Sequence, residues 1–210
     1  MRRSELATVD TITVADDPAS WRAVGFDVDD RGRCAVGTVD LLLTGTGERR
    51  GIARWSVRGL ASTDLDGLPT ERSDAPEREP APVHPNGVRR IDHVVAFTPD
   101  RSRTAAALEA AGLDLRRLRD EPTPAGGGHQ AFFRLGEVIL EVIEYGAGSD
   151  RPADAPARLW GLAFGVDSLD ATTGLIGERV SEPRDAVQEG RRIATLRRSA
   201  GVGVAVAFMS

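Results

Sequence analysis

The sequence predicts an α+β fold: paired βαβββ modules forming a curved mixed sheet, with helices outside and a concave pocket within. Three observations predict it. One grammar recurs three times: an apolar strand, an acidic residue, a short helix, a glycine. Three candidate strands follow each helix. A proline-rich stretch divides the chain into a shorter N-terminal and a longer C-terminal part.

The first copy is "TVDTITVADDPASWRAVGF", with a strand at Val9–Ala15, a cap at Asp17, Pro18 at the first helical position and a stop at Gly25. An aspartate accepts from amides left free at a helix start, proline lacks a donor the first turn does not use, and glycine takes the left-handed turn at the end. "FDVDDRG", "RCAVG" and "TVDLLLTG" follow as strands. A truncated fourth copy opens at "GIARWSVRGL", with Trp55 aligned to Trp160, and meets the prolines before a helix develops.

From Asp64 to Gly87 the chain holds Pro69, Pro76, Pro80, Pro82 and Pro85. Proline removes backbone donors and resists helix and central strand, so this stretch reads as a semi-rigid extended linker. The second copy, "IDHVVAFTPDRSRTAAALEAAG", gives a strand at Ile91–Phe97, a cap at Asp100 and a stop at Gly112. The third, "LWGLAFGVDSLDATTGLIG", gives a strand at Leu159–Val166, a cap at Asp167 and a stop at Gly177. The organisation expected is a degenerate βαβββ-like module over residues 1–62, a linker over 63–88, and a domain over 89–210 made of two modules, 89–148 and 157–210. One module cannot cover both faces of its sheet; two joined modules enclose a hollow.

Composition narrows the function classes. A net charge of -5 argues against a general nucleic-acid binder, which carries a basic face. No apolar run approaches the ~18 residues of a membrane span. Glu5, Asp10, Asp16 and Asp17 interrupt the N-terminus where a secretory signal needs an apolar stretch. Cys34 is the only cysteine, so no intrachain disulfide forms. A cytoplasmic location is the expectation.

The order and spacing of "IDHVV", "PDRSRTAAALEAAGL" and "FFRLGEVILEVIE" resemble the vicinal oxygen chelate superfamily, which includes glyoxalase I, bleomycin-resistance proteins and extradiol dioxygenases. The resemblance is best over residues 89–146, fair over 157–210 and weak over 8–60. It implies a glyoxalase-like fold, a divalent metal in the hollow, a small oxygenated substrate or ligand, and a homodimer whose partner can complete a site. Carried over, His93 takes a metal-ligand position on a first strand and Glu141 one on a last strand. Alternation places Glu141 with Ile139 and Ile143, in phase for the hollow, and leaves Glu144 on the other face. Trp160 and Ala207 stand at these places in the third copy, Thr11 and Leu42 in the first, so one module keeps the pair. An imidazole and a carboxylate suit Zn, Fe, Mn or Ni.

Each candidate has an ordinary alternative. His93 reads also as a hydrogen-bonded core histidine, and Glu141 as half of an ion pair, since a carboxylate is costly to bury alone. Glu141 is the candidate catalytic base, Trp160, Gln130, Phe133 and His129 the candidate substrate contacts. His129 reads equally as a loop residue beside glycines, His84 as solvated among prolines, and Arg191 and Arg192 either as contacts to an anion or as exposed charge. Two functions stay open: a metal-dependent lyase or isomerase, and a metal-free small-molecule binding protein resembling bleomycin-resistance proteins. A dioxygenase, which wants a second histidine, is disfavoured.

Overall fold

The computed structural model describes residues 6–47, 50–121, 128–146 and 149–210. The C-terminal part is one eight-stranded sheet. Its first module runs β6 (Val88–Thr98), α2 (Arg101–Ala110), β7 (Asp114–Arg119), β8 (Gln130–Leu135) and β9 (Val138–Glu144). Its second runs β10 (Arg158–Val166), α3 (Leu169–Ile176), β11 (Arg184–Asp185), β12 (Arg192–Thr195) and β13 (Ala205–Met209). The strand order is β11-β12-β13-β10-β6-β9-β8-β7. Each first strand lies parallel to its module's last, and β6 and β10 join the modules antiparallel. The expected pair of βαβββ modules is therefore present, with β11 cut to two residues.

The N-terminal part is a reduced version of the same plan. Its elements are β1 (Thr8–Ala15), α1 (Pro18–Ala23), β2 (Arg33–Val36), β3 (Val39–Leu43), β4 (Gly51–Arg58) and β5 (Thr70–Arg72), in the sheet order β2-β3-β1-β4-β5. β1 pairs parallel with β3 and antiparallel with β4, as β6 does with β9 and β10. The "FDVDDRG" stretch is not a strand. Arg22 ties it into a loop by donating to the carbonyls of Val28 and Asp29, and Asp29 accepts from the amides of Arg31 and Arg33.

Helix ends follow local chemistry. Asp17 accepts from Ala19 N–H at 2.9 Å and Asp100 from Arg103 N–H at 2.9 Å. At α3 the cap is Ser168, accepting from Ala171 N–H at 3.2 Å, and not Asp167, which pairs with Arg89 at the surface. Either residue type caps well, and the cap expected at Asp167 falls one residue later.

One apolar core spans both parts. Phe26 meets Phe164 at 5.0 Å and Trp21 at 5.0 Å, while Trp21 meets Phe164 edge-on at 6.1 Å. Fully burying such rings contributes about 1.5–3 kcal/mol each. The proline-rich stretch adheres to both sheets. Leu65 and Leu68 are buried, and Asp66 takes a two-pronged bond from Arg103 on α2. His84 is buried rather than solvated, its Nδ1 accepting from Asp27 N–H at 3.0 Å. No described helix is long and apolar enough to cross a membrane.

The strands at the centre of each sheet share an irregularity. In β1, β4 and β10 one residue is extra to the pairing, Asp10, Ala53 and Trp160 respectively, and in β6 two are, Arg89 and Asp92. A bulge seats two residues against one and redirects the extra side chain. This repeated device, invisible to a strict alternation, shapes the hollow.

Candidate functional site

β6 presents His93, Val95 and Phe97 on one face. The register continues that face across β9 as Ile139, Glu141 and Ile143, and across β8 as Arg134, Phe132 and Gln130. Val94, Ala96, Leu140, Val142, Ala131 and Phe133 form the opposite face, fully buried toward the α2 side. His93 and Glu141 thus share the concave wall as diagonal neighbours, Glu141 standing beside Val95.

At the His93 end of this wall lies a cavity of about 400 Å³. Arg90, Arg134 and Arg191 line it together with Asp92, His93 and Glu137. The bulge brings Asp92 to the same side as His93, so that Asp92 Oδ2 lies 2.7 Å from His93 Nδ1. Arg191 clamps the Asp92 carboxylate with two bonds of 2.9 Å, and Arg90 adds one of 3.0 Å. Burial alone would raise the Asp92 carboxyl, but His93 and Arg191 outweigh it and hold it far below the usual carboxylate range.

The network also assigns the imidazole. Gln188 Oε1 accepts from Arg191 at 2.8 Å, which turns the Gln188 amide nitrogen toward His93 Nε2, 3.4 Å away. An ionised Asp92 accepts, so neutral His93 carries its proton on Nδ1 and presents a lone pair at Nε2. Glu141 has no side-chain hydrogen bond or ion pair among the described residues. Burial pushes its carboxyl up, and His93 and Arg119 draw it partly back.

The other candidates are dispersed. Gln130 is on the concave face but buried, with Oε1 lacking a partner among the described residues. Phe133 is in the core, fully buried; its neighbour Phe132 is the ring on the concave face, opposite Glu141. One step of strand phase separates a core residue from a wall residue. Trp160 is 41 % exposed and meets Phe97 edge-on at 5.1 Å, at the far end of the wall from the cavity. It does not take the place of His93 in the second module. The bulges make Trp160 the counterpart of Asp92 and Gly161 the counterpart of His93, whereas Ala207 does correspond to Glu141. His129 lies outside the cavity, exposed and 2.9 Å from Asp120. Arg192 pairs with Asp170 at the surface, leaving Arg191 as the cavity arginine of that pair. Glu144 accepts from Arg101 N–H at the start of α2, as its phase requires.

A divalent metal finds a poor donor set here. His93 Nε2 and Glu141 are two ligands, and among the described residues no three His, Cys, Asp or Glu side chains converge to hold an ion. Asp92 is already saturated by Arg191 and Arg90, and the three guanidiniums of the cavity outnumber its two carboxylates, Asp92 and Glu137, which disfavours a dication. These residues do not fit a resident metal. They fit an anion, because guanidiniums recognise carboxylate and phosphate oxygens by paired donors.

No protein family and no curated protein sequence matches the chain. Solved structures do. A xylose isomerase-like TIM barrel/4-hydroxyphenylpyruvate dioxygenase fusion protein is similar over 98% of this chain and 49% of its own, with a TM-score of 0.59 and 12% identity. The chain therefore spans about half of that protein. A methylmalonyl-CoA epimerase from Mycobacterium tuberculosis is similar over 59% of this chain and 88% of its own, at 18% identity and a TM-score of 0.47. A Streptomyces coelicolor methylmalonyl-CoA epimerase variant, in complex with 2-nitronate-propionyl-CoA, covers 58% and 96% at 25% identity and a TM-score of 0.47. Strand order, module pairing and a likeness that runs the length of the chain agree: this protein has a glyoxalase-like fold of paired βαβββ modules.

Proposed function

We propose that the chain binds a small anionic molecule, carrying a carboxylate or phosphate, in the cavity beside His93, and does so without a resident metal. The observation that carries this reading is the cavity wall itself: Arg90, Arg134 and Arg191 around about 400 Å³. That volume suits a metabolite-sized ligand. Arg90 and Arg191 are tied to Asp92, so Arg134, whose Nε donates to the Gly136 carbonyl and which has no other hydrogen bond among the described residues, is the guanidinium with most donors to offer. Of the two functions left open by the sequence, this favours the metal-free pocket.

A second reading, proton transfer on the bound ligand, is supported by the His93–Asp92 arrangement. A carboxylate that fixes Nδ1–H leaves Nε2 as a general base, and the raised Glu141 carboxyl stands on the same wall. Proton abstraction beside a carbonyl, as in isomerisation, uses such a pair.

The test is calorimetric titration with pyruvate, succinate and inorganic phosphate, on wild type and on Arg134→Ala. Saturable binding of at least one, weakened tenfold or more in the variant, supports the reading. Absence of binding by all three, or equal affinity in the variant, overturns it.

A further inference from the structure

The N-terminal sheet has a hollow of its own, and it is filled. Asp10 stands in β1 where Asp92 stands in β6, each the extra residue of a bulge. Across this face run residues 73–81 of the proline-rich stretch. Arg58 Nε donates to the Ala75 carbonyl at 2.7 Å, and Ala81 N–H donates to the Gly37 carbonyl at 2.8 Å. Between these anchors Arg78 turns inward.

The Arg78 guanidinium reaches two strands at once. Its Nη1 donates to the Asp10 carboxylate, which Arg58 Nη2 and Ser73 Oγ also bind, and at 3.1 Å to the Asp10 carbonyl. Its Nε lies 3.2 Å from Asp40 Oδ2 on β3. Asp10 and Asp40 are each 5% exposed, so the carboxylates belong to the interior while the incoming side chain arrives from solvent. Arg33 lies 2.8 Å from Asp40 Oδ1, so Arg78 is the second guanidinium on that carboxylate, each arginine taking one oxygen. A planar fork with donors in fixed directions satisfies acceptors on two strands; an ammonium is a single point charge and does not.

We propose that the N-terminal hollow is a second binding site, selective for a guanidinium group, and that Arg78 of the segment 73–81 is its resident occupant. The hollow of the N-terminal sheet is closed in cis by a side chain of the same protein. The segment that delivers Arg78 belongs to no helix or strand; besides Arg78 and the two anchors, Ser73 N–H donates to the Val57 carbonyl at 3.0 Å and Arg58 Nη2 to the Pro76 carbonyl at 3.2 Å. The inference stands apart from the reading of the His93 cavity.

Arg78→Ala in the full chain vacates the site. The expected result is a lower melting temperature than wild type, raised in a saturable way by millimolar methylguanidinium and not by equal methylammonium. Wild type and the double variant Arg78→Ala, Asp10→Asn show no such rise. A folded Arg78→Ala protein that gives no saturable rise, or the same rise with both cations, overturns the proposal. Arg78→Lys provides a second check should the alanine variant not fold. It is expected to melt well below wild type despite its charge, and a wild-type melting temperature would overturn guanidinium selectivity.

Discussion

His93 Nδ1 lies 2.7 Å from the carboxylate of Asp92, its neighbour in the chain. Adjacent residues in a regular strand point to opposite faces, so this contact exists only because Asp92 is the extra residue of a bulge. The same carboxylate is gripped by Arg191, 99 positions away. A local backbone irregularity thereby joins the first strand of one module to the turn between the second and third strands of the other.

Replacing Asp92 by asparagine should therefore do two things. It removes a charge that His93 and Arg191 share, costing roughly 2–3 kcal/mol of stability. It also frees the imidazole tautomer, which nitrogen-15 NMR of His93 will report as loss of the Nδ1–H form. The Asp92 carboxyl is depressed on folding, so its contribution is present at neutral pH and is lost as pH falls below the ordinary carboxylate range toward its folded value. Denaturant melts of wild type and Asp92→Asn should converge in acid.

Glu141 has the opposite sign. Burial raises its carboxyl, so the folded state holds the proton more tightly than the unfolded chain. That stabilisation is complete below the unfolded value and is lost as pH rises through the folded one. Glu141→Gln, which carries no charge to bury, should melt higher than wild type at pH 8. The difference should shrink toward pH 4, and a variant less stable at both pH values contradicts the assignment.

Phe132 and Phe133 test the phase of β8. Phe133→Ala opens a hole in the core and should cost about 3–5 kcal/mol in denaturant unfolding. Phe132→Ala, on the concave wall, should cost markedly less. Equal losses would mean the strand's faces have been exchanged.

Cys34 is fully buried and its thiol is pushed up to about 12, first by burial and then by nearby carboxylates. Only thiolate reacts with disulfide reagents. The native protein should resist such a reagent at pH 8 and react fully once unfolded. Its neighbour His84, with Nε2 3.9 Å from the sulfur, has Nδ1 occupied as an acceptor and does not activate it.

The module grammar was legible because caps, stops and strand alternation are local chemistry. Asp17, Asp100, Gly25 and Gly112 behave as their residue types require, and Glu141 falls on the expected face of β9. The bulges were not legible, since nothing in "RIDHVV" or "RLWGLAF" marks the extra residue. That is why Asp92 was missed as the partner of His93, and why Trp160 was aligned with His93 in place of Gly161. Gln188 and Arg191 reach the site through tertiary contact, which no local pattern announces. Phe133 was a single phase error, with Phe132 beside it.

The central claim is that the hollow recognises an anion through guanidiniums and needs no metal to do so. The most direct measurement is the calorimetric affinity for the carboxylate or phosphate that binds, before and after exhaustive chelation and again after zinc is restored. The account predicts one affinity in all three states. Binding lost on chelation and recovered with zinc would contradict it.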